Sequence, residues 1–162
     1  MILCSPVVLR GQASAGAPAL IAPQELETLF PPSVYFQGKT APVQRRNSAA
    51  VRFGEGAAFF AGLVDTSGYA SSVQEKYQMY LLTERAVQFG DKTLPAGAYG
   101  AGFVGDRFLV MDIGGHVLAE GATQMDEKLA RPRPLQMVLS PAGEGRLYLG
   151  KRWVRVSLAP GK

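Results

Sequence analysis

His116 is the only histidine in the 162-residue chain, and Asp112 and Glu120 place carboxylates four residues before it and four residues after it. An imidazole that bonds a carboxylate can act as a general base, because it titrates near neutral pH and the carboxylate fixes its tautomer. Asp112 lies across a predicted hairpin from His116, within reach of such a bond. Gly114–Gly115 also makes His116 an exposed hairpin end, and we favour this interpretation. An enzyme that uses His116 and Asp112 is the third of three functional hypotheses.

Motifs for nucleophilic, metal or phosphate chemistry do not occur in the sequence. There is no Gly-x-Ser-x-Gly elbow and no His-Glu-x-x-His, and the glycine-rich run at residues 97–102 lacks the lysine of a phosphate-binding loop. Cys4 is the only cysteine, so one cysteine and one histidine cannot assemble a thiolate zinc site or an internal disulfide. We therefore predict no metal and no cofactor.

The string Asp-Thr-Ser-Gly-Tyr, residues 65–69, is similar to the Asp-Thr-Gly loop of aspartic proteases, in which two carboxylates share a proton. It occurs once, so only a homodimer would bring two Asp65 side chains together. We favour a strand-ending loop whose polar side chains bond nearby backbone. With the polar run at residues 71–77, this loop predicts a rim at one end of a β fold, where binding loops are common. Asp65, Tyr69 and Tyr77 are candidate binding residues.

Positive charge is concentrated near the C-terminal end of the sequence. Residues 128–162 carry a net charge of +7 and residues 1–127 a net charge of −3, which gives the +4 of the whole chain. Alternation along the last predicted strand places Trp153 and Arg155 on its outer face. An exposed Trp-Arg stripe would bind an anionic glycan or lipid headgroup, whereas a solvated face whose arginine stems cover Trp153 is favoured. Nucleic acid is disfavoured as a partner, because no RNA-binding motif occurs.

Short apolar runs separated by turn residues predict an all-β fold, an antiparallel sandwich or barrel of about 8–11 short strands with one or two short helical turns. Pro23 to Phe30 is predicted to be helical, and Thr123 and Asp126 suit a single helical turn. The predicted strands are Val34–Gln37, Ala49–Phe53, Ala57–Val64, Tyr77–Thr83, Ala86–Phe89, Ala98–Val104, Arg107–Ile113, His116–Glu120, Leu135–Leu139, Arg146–Leu149 and Arg152–Leu158.

Glycines mark the connections and one strand surface. Gly105–Asp106 and Gly114–Gly115 each separate two apolar runs, which predicts tight antiparallel hairpins with positive φ at the glycines. Gly100 and Gly102 fall on one side of a strand. Their lack of side chains predicts a smooth patch against an aromatic ring or neighbouring backbone.

The beginning of the chain differs in composition from the rest, with a single charge and many Ala, Ser, Gly and Pro residues. An apolar patch at residues 2–9, followed by small residues, resembles the later part of a secretory signal, although a basic start is missing. We divide the chain into a targeting or flexible segment, residues 1–23, and a single β domain, residues 24–162. Leu3 before Cys4 argues against a lipid anchor, and no apolar run reaches the roughly 18 residues of a membrane-spanning helix. A periplasmic or extracellular location is predicted, with the cytoplasm as the alternative.

The segment Leu-Pro-Ala-Gly-Ala-Tyr, residues 94–99, stands just before a hydrophobic hairpin. It resembles a turn found in uncharacterised exported bacterial all-β domains of the sandwich type. The resemblance covers a short stretch and implies an envelope or extracellular context. It implies no catalytic residue, because Pro95 and Gly97 make the turn and Tyr99 packs.

A noncatalytic binding or structural module is the leading hypothesis. The alternative is a small-ligand-binding β-barrel whose cavity is lined by Tyr77, Tyr80, Tyr99, Phe103 and Met111. The sequence pattern does not separate the two, since both bury alternate residues. The sequence does not identify a partner, and the two candidates are a small ligand and an anionic surface near the basic C-terminal hairpin.

Overall fold

The computed structural model describes residues 16–54 and 56–160. Short strands follow one another through turns, and the two helices of these residues are short. In chain order the elements are β1 (Ala19–Leu20), α1 (Pro23–Leu29), β2 (Ser33–Phe36), β3 (Lys39–Arg52), β4 (Ala58–Val64), α2 (Ser71–Gln74), β5 (Met79–Thr83), β6 (Val87–Phe89), β7 (Lys92–Leu94), β8 (Gly97–Val104), β9 (Arg107–Met111), β10 (Val117–Ala122), β11 (Gln124–Met125), β12 (Gln136–Leu139), β13 (Gly145–Leu149) and β14 (Arg152–Leu158).

The strands form two antiparallel sheets that pack against each other. Sheet 1 has the order β1-β3-β4-β5-β8-β9-β10, with β2 also paired to β3, and sheet 2 has the order β12-β13-β14-β6-β7, with β11 paired to β14. Many neighbours in a sheet are consecutive in sequence, because a short turn is enough to join antiparallel strands. The predicted all-β fold with one or two short helical turns is confirmed, and of the two predicted forms, sandwich or barrel, it is sandwich-like. Each predicted strand is present, with ends that differ by no more than two residues except at β3, which begins ten residues before the predicted Ala49.

An inter-sheet core of apolar side chains holds the two sheets together. Its aromatic centre contains Phe59, Phe89, Phe103 and Phe108, each at most 2% exposed. The ring centroids of Phe103 and Phe108 are 4.8 Å apart, and those of Phe89 and Phe108 are 5.4 Å apart. Alternate residues of the strands point into this core, as the period of two in the sequence predicts.

The other face of sheet 1 is covered as well, by an outer core. Helix α1 contributes Leu26, and Phe30 follows directly after the helix. The β2–β3 hairpin contributes Phe36, which stacks on Tyr77 at 3.9 Å between ring centroids. Strand β4 is apolar along nearly its whole length, with six of its seven residues buried. A strand buried on both faces reads as a continuous apolar run, so sheet 1 requires a covering layer on each side.

Gly100 and Gly102 of β8 allow this covering layer to approach the sheet, as predicted. A Cβ at Gly100 would lie 2.5 Å from the Phe36 ring, and a Cβ at Gly102 would overlap the carbonyl oxygen of Lys76. Any larger residue would therefore push the layer away from the sheet.

The structure also differs from the sequence expectations. The pattern misses β1, β7 and β11, which have only two or three residues each. The helical turn predicted at Thr123 and Asp126 is wrong, because Gln124 and Met125 pair with β14 and the chain turns only after Asp126. The free edge of β14 offers backbone partners there, and tertiary pairing overrides the local preference.

Packing contacts begin before the predicted domain start at residue 24. The β1 residues pair with Val51 and Arg52, and the Ile21 amide donates to the Ala50 carbonyl at 3.0 Å. Ile21 is also buried in the outer core. The stretch from Ala19 to Ile21 therefore contributes to the folded domain.

Candidate functional site

Strand β14 has a gap in its ladder of partners. Along one edge it pairs with β13 from Arg152 to Val156. Along the other edge, β11 pairs at Trp153 and β6 pairs at Ser157. Arg155 lies midway between these two rungs and has no strand partner on that edge among the described residues.

The backbone groups of Arg155 point to this open edge. The Lys151 carbonyl accepts from the Asp126 amide at 2.9 Å, and the Ala159 amide donates to the Ala86 carbonyl at 2.9 Å. In an antiparallel strand, residues two apart direct their N–H and C=O groups to the same edge. Arg155 therefore directs its N–H and C=O towards the space between β11 and β6. Neither a strand pairing nor a loop hydrogen bond from residues 16–54 or 56–160 fills this position.

The open edge of β14 forms the wall of a surface groove, the β14 groove, of about 450 Å³. Most of the side chains that line it are polar, and several carry amide or hydroxyl groups. The groove is lined by Gln88, Gly90, Ala122, Gln124, Glu144, Trp153, Val154, Arg155 and Ser157. Pockets that hold specific ligands combine a concave shape with a few fixed polar groups, and this groove has both.

Trp153 forms part of the groove but is only 8% exposed. The Arg146 guanidinium lies 4.5 Å from the centre of its ring, and Tyr148 stacks beside it at 6.1 Å. The Tyr148 hydroxyl donates to the Asp126 carboxylate at 3.1 Å. The favoured interpretation, an outer face on which an arginine covers Trp153, therefore agrees with the structure, and the alternative of an exposed Trp-Arg stripe does not. Arg155 is exposed on this face.

The charges in the groove balance each other. The Arg155 Nε lies 3.4 Å from the Glu144 carboxylate, and both side chains remain partly in solvent. Such an exposed pair contributes about 0.2–1 kcal/mol. Nearby basic residues are engaged elsewhere, since Arg152 donates to the Gly105 carbonyl and Lys151 lies 4.0 Å from Glu127. The groove thus offers hydrogen bonds without a strong net charge.

Asp112 and His116 lie in contact, as predicted, and their contacts close the loop between β9 and β10. The ring Nδ1 of His116 lies 3.1 Å from the Asp112 carboxylate. The same carboxylate accepts the backbone N–H groups of Gly114 at 2.9 Å and His116 at 3.0 Å. The bond from the His116 amide is the main cause that lowers the pKa of Asp112. The His116 side chain is 81% exposed.

The connection between β9 and β10 is longer than predicted. It spans residues 112–116, and only Gly115 adopts a positive φ, of 87°. The two-residue turn predicted at Gly114–Gly115 is therefore wrong, although Gly105 has the predicted positive φ of 58°. The Asp112 carboxylate, which bonds two loop amides, stabilises the longer loop.

Asp65 lies in the loop after β4, as predicted. Its carboxylate accepts the Ser67 amide at 3.0 Å, and this bond is the main cause that lowers its pKa. Hydrogen bonding of an aspartate to the amide two residues on is typical of an Asx turn. Asp65 thus has a local structural partner.

Tyr69 and Tyr77 meet in the outer core, with ring centroids 5.6 Å apart. The Tyr69 hydroxyl donates to the Phe36 carbonyl at 2.9 Å. The Tyr77 hydroxyl is buried and has no partner among the described residues, and burial raises its pKa. Tyr80 is half-buried at the edge of the same core.

The five residues predicted to line a barrel cavity lie on opposite faces of sheet 1. Tyr99 and Phe103 belong to the inter-sheet core, whereas Tyr77, Tyr80 and Met111 belong to the outer core or its margin. Tyr99 also donates its hydroxyl to the Pro95 carbonyl at 2.7 Å. These side chains fill two packed layers and do not face one common cavity.

Sequence reasoning identifies Trp153 and Arg155 but misses Gln88, Gln124 and Glu144 as their neighbours. Those three residues reach the groove from three other segments, through pairings whose register no local pattern encodes. The alternation around Trp153 and Arg155 was the only signal, and it indicated the correct face of β14.

Comparisons with known proteins give no relative for this chain. No family model matches it, and neither a curated protein nor a solved structure was found to match. Within the described part of the chain, no three acidic, histidine or cysteine side chains cluster as metal ligands would. The helices of that part are too short to span a bilayer.

Proposed function

We propose that this protein is a noncatalytic binding domain that holds a short extended segment of a partner polypeptide in the β14 groove. The observation that carries the proposal is the unpaired backbone of Arg155, placed between two filled rungs of the same sheet edge. An N–H and a C=O that point into a groove match the donor and acceptor of one peptide residue. Recognition of peptides by unpaired sheet edges uses the same hydrogen bonds.

The dimensions of the gap limit how much peptide can bind. Trp153 and Ser157 are four residues apart, which corresponds to about 13 Å along a strand. Strands β11 and β6 occupy the rungs on either side, so a bound segment can fill only the rung at Arg155 and must then leave the edge. Gln88 and Gln124 stand at the two ends of the gap and can bond the peptide groups that flank this rung.

The chemistry of the groove favours binding over catalysis. Among the described residues, Glu144 and Arg155 are the only charged side chains that line it, and they form an ion pair with each other. General acid–base catalysis requires a group that can exchange a proton with the reacting atom. In this pair the guanidinium and the carboxylate are directed at each other. The Asp112–His116 pair closes a loop, which also favours the noncatalytic interpretation.

A blocked alanine tripeptide tests whether the backbone N–H and C=O of Arg155 bind a peptide, because its methyl side chains contribute little to recognition. In a titration followed by amide NMR, N-acetyl-Ala-Ala-Ala-amide should shift the Arg155 amide signal and those of Gln88 and Gln124. A counterpart methylated on its central nitrogen should bind about fivefold more weakly, because it lacks one hydrogen bond of about 1 kcal/mol. Equal effects of the two peptides, or an unchanged Arg155 signal, would refute the proposal.

Proline substitutions provide a matched pair of variants. Arg155→Pro removes an N–H that has no partner in the described part of the chain, so the variant should fold and should lose the peptide-induced shifts. Val154→Pro removes an N–H on the edge that β13 occupies and should destabilise the domain by about 3 kcal/mol or more. Arg155→Ala is the control for the lost ion pair, and it should retain peptide binding.

Export from the cytoplasm is part of the same proposal. It is supported by the composition of residues 1–23 and by the local resemblance at residues 94–99. Residues 1–23 can be fused to a reporter enzyme that is active only outside the cytoplasm. Reporter activity is the expected result, and an inactive reporter of normal abundance would contradict export.

A further inference from the structure

A second concave site lies where one end of sheet 1 meets β12 of sheet 2, away from the β14 groove. This cleft, the Arg133 cleft, has a volume of about 280 Å³. Its walls come from β1, the start of α1, the last part of β3, and the start of β12 with the chain that enters it. It is lined by Leu20, Ile21, Ala22, Pro23, Leu26, Ser48, Ala49, Ala50, Arg133, Leu135, Gln136 and Met137.

The inner walls of the Arg133 cleft are apolar. Ile21, Leu26, Leu135 and Met137 are each at most 8% exposed and belong to the two cores. Leu20 stands at the rim with 52% of its surface exposed. A large exposed leucine beside an apolar cleft indicates a surface that an apolar group can cover. The volume is about that of nine water molecules in the liquid, enough for a short hydrocarbon chain.

Two hydrogen-bond donors at the cleft have no partner in the described residues. The Gln136 Nε2 is buried and donates to no acceptor among the described residues, which is costly for a donor taken out of water. Arg133 is exposed, and no carboxylate of residues 16–54 or 56–160 lies within ion-pair distance of it. An oxygen-rich anionic group between Arg133 and Gln136 would satisfy both donors.

We infer that the Arg133 cleft binds a medium-chain carboxylate, whose hydrocarbon chain lies on Leu20, Ile21 and Met137 and whose carboxylate accepts from Arg133 and Gln136. The combination of apolar walls with a cation and an unpaired amide matches both ends of such an amphiphilic monoanion. The site is independent of the β14 groove, so either proposal can fail without the other.

The test measures the melting temperature of the protein with sodium octanoate below its micellar concentration, and with octanamide as the uncharged counterpart. Octanoate should raise the melting temperature, since a ligand that binds only the folded state stabilises it. Octanamide should raise it less. No rise with octanoate, or equal rises with both compounds, would overturn the inference.

Variants locate the binding. Arg133→Gln should weaken octanoate binding about tenfold or more, because it removes a charge-assisted hydrogen bond. Arg131→Gln is the matched control, since Arg131 is a nearby exposed arginine that does not line the cleft. It should leave octanoate binding unchanged. Equal weakening in both variants would show nonspecific charge attraction and would refute the site.

Gln136→Leu provides a second, independent variant. It removes an unpaired donor, so the free protein should melt at or above the temperature of the parent. It should also lose part of the stabilisation by octanoate. If Gln136→Leu instead keeps the full octanoate effect, the carboxylate does not lie between Gln136 and Arg133.

Discussion

Gly102→Ala should destabilise the domain, because the covering layer of sheet 1 touches the backbone at this residue. A Cβ at Gly102 would overlap the Lys76 carbonyl oxygen. That atom belongs to the backbone and cannot rotate away as a side chain could. Overpacking of this kind costs about 1–3 kcal/mol. For a domain of this length, 1 kcal/mol shifts the melting temperature by about 2–4 °C, so we expect a decrease of roughly 2–12 °C.

The assay is thermal unfolding followed by circular dichroism, with Gly68→Ala as the control. An added Cβ at Gly68 would meet no atom within 4 Å, and its φ is not in the left-handed region. Gly68→Ala should therefore change stability by less than about 0.5 kcal/mol. If Gly102→Ala melted at the same temperature as Gly68→Ala, the backbone before β5 would not lie against Gly102 of β8, which would refute the prediction.

Three further predictions concern other parts of the fold. Tyr77→Phe should leave the free energy of unfolding unchanged or raise it, because the Tyr77 hydroxyl has no partner within residues 16–54 and 56–160. Tyr69→Phe should lower the free energy of unfolding by about 1 kcal/mol, because the Tyr69 hydroxyl donates to the Phe36 carbonyl. Gly115→Ala should lower the melting temperature, since an added Cβ would overlap the Gln37 side chain at positive φ, while His116→Ala should change stability by less than about 0.5 kcal/mol. Deletion of residues 1–22 should destabilise the domain more than deletion of residues 1–17, because only the longer deletion removes Ile21. Chemical denaturation measures the free energy of unfolding of every variant. In each pair, a variant expected to be the less stable that proved the more stable would contradict the prediction.

The general fold follows from local patterns in the sequence. The alternation along β14 places Val154 and Val156 in the inter-sheet core, as the period of two predicts. The close approach of other groups at Gly100 and Gly102 is predicted correctly, because two glycines on one side of a strand leave room for an aromatic ring or backbone. Pro23 likewise starts α1, where its missing N–H is not needed.

The candidate site follows only in part. The alternation along β14 predicts that Trp153 and Arg155 lie on its outer face. The burial of Trp153 is not predictable in this way, because it depends on the Arg146 guanidinium above its ring and on Tyr148, which a hydrogen bond to Asp126 holds in place. The gap at Arg155 depends on where β11 and β6 leave β14, which is a long-range property of strand register. Short strands such as β11 carry too few residues for a periodic signal.

Amide hydrogen exchange at Arg155 tests the central claim most directly. Hydrogen-bonded amides of a sheet exchange slowly, and an unpaired amide at a groove exchanges quickly. We expect the Arg155 amide to exchange much faster than those of Val154 and Val156 in the free protein, and to slow when the blocked tripeptide is added. An Arg155 amide that is as protected as its two neighbours in the free protein would show that the rung is already filled, and would contradict the proposed binding site.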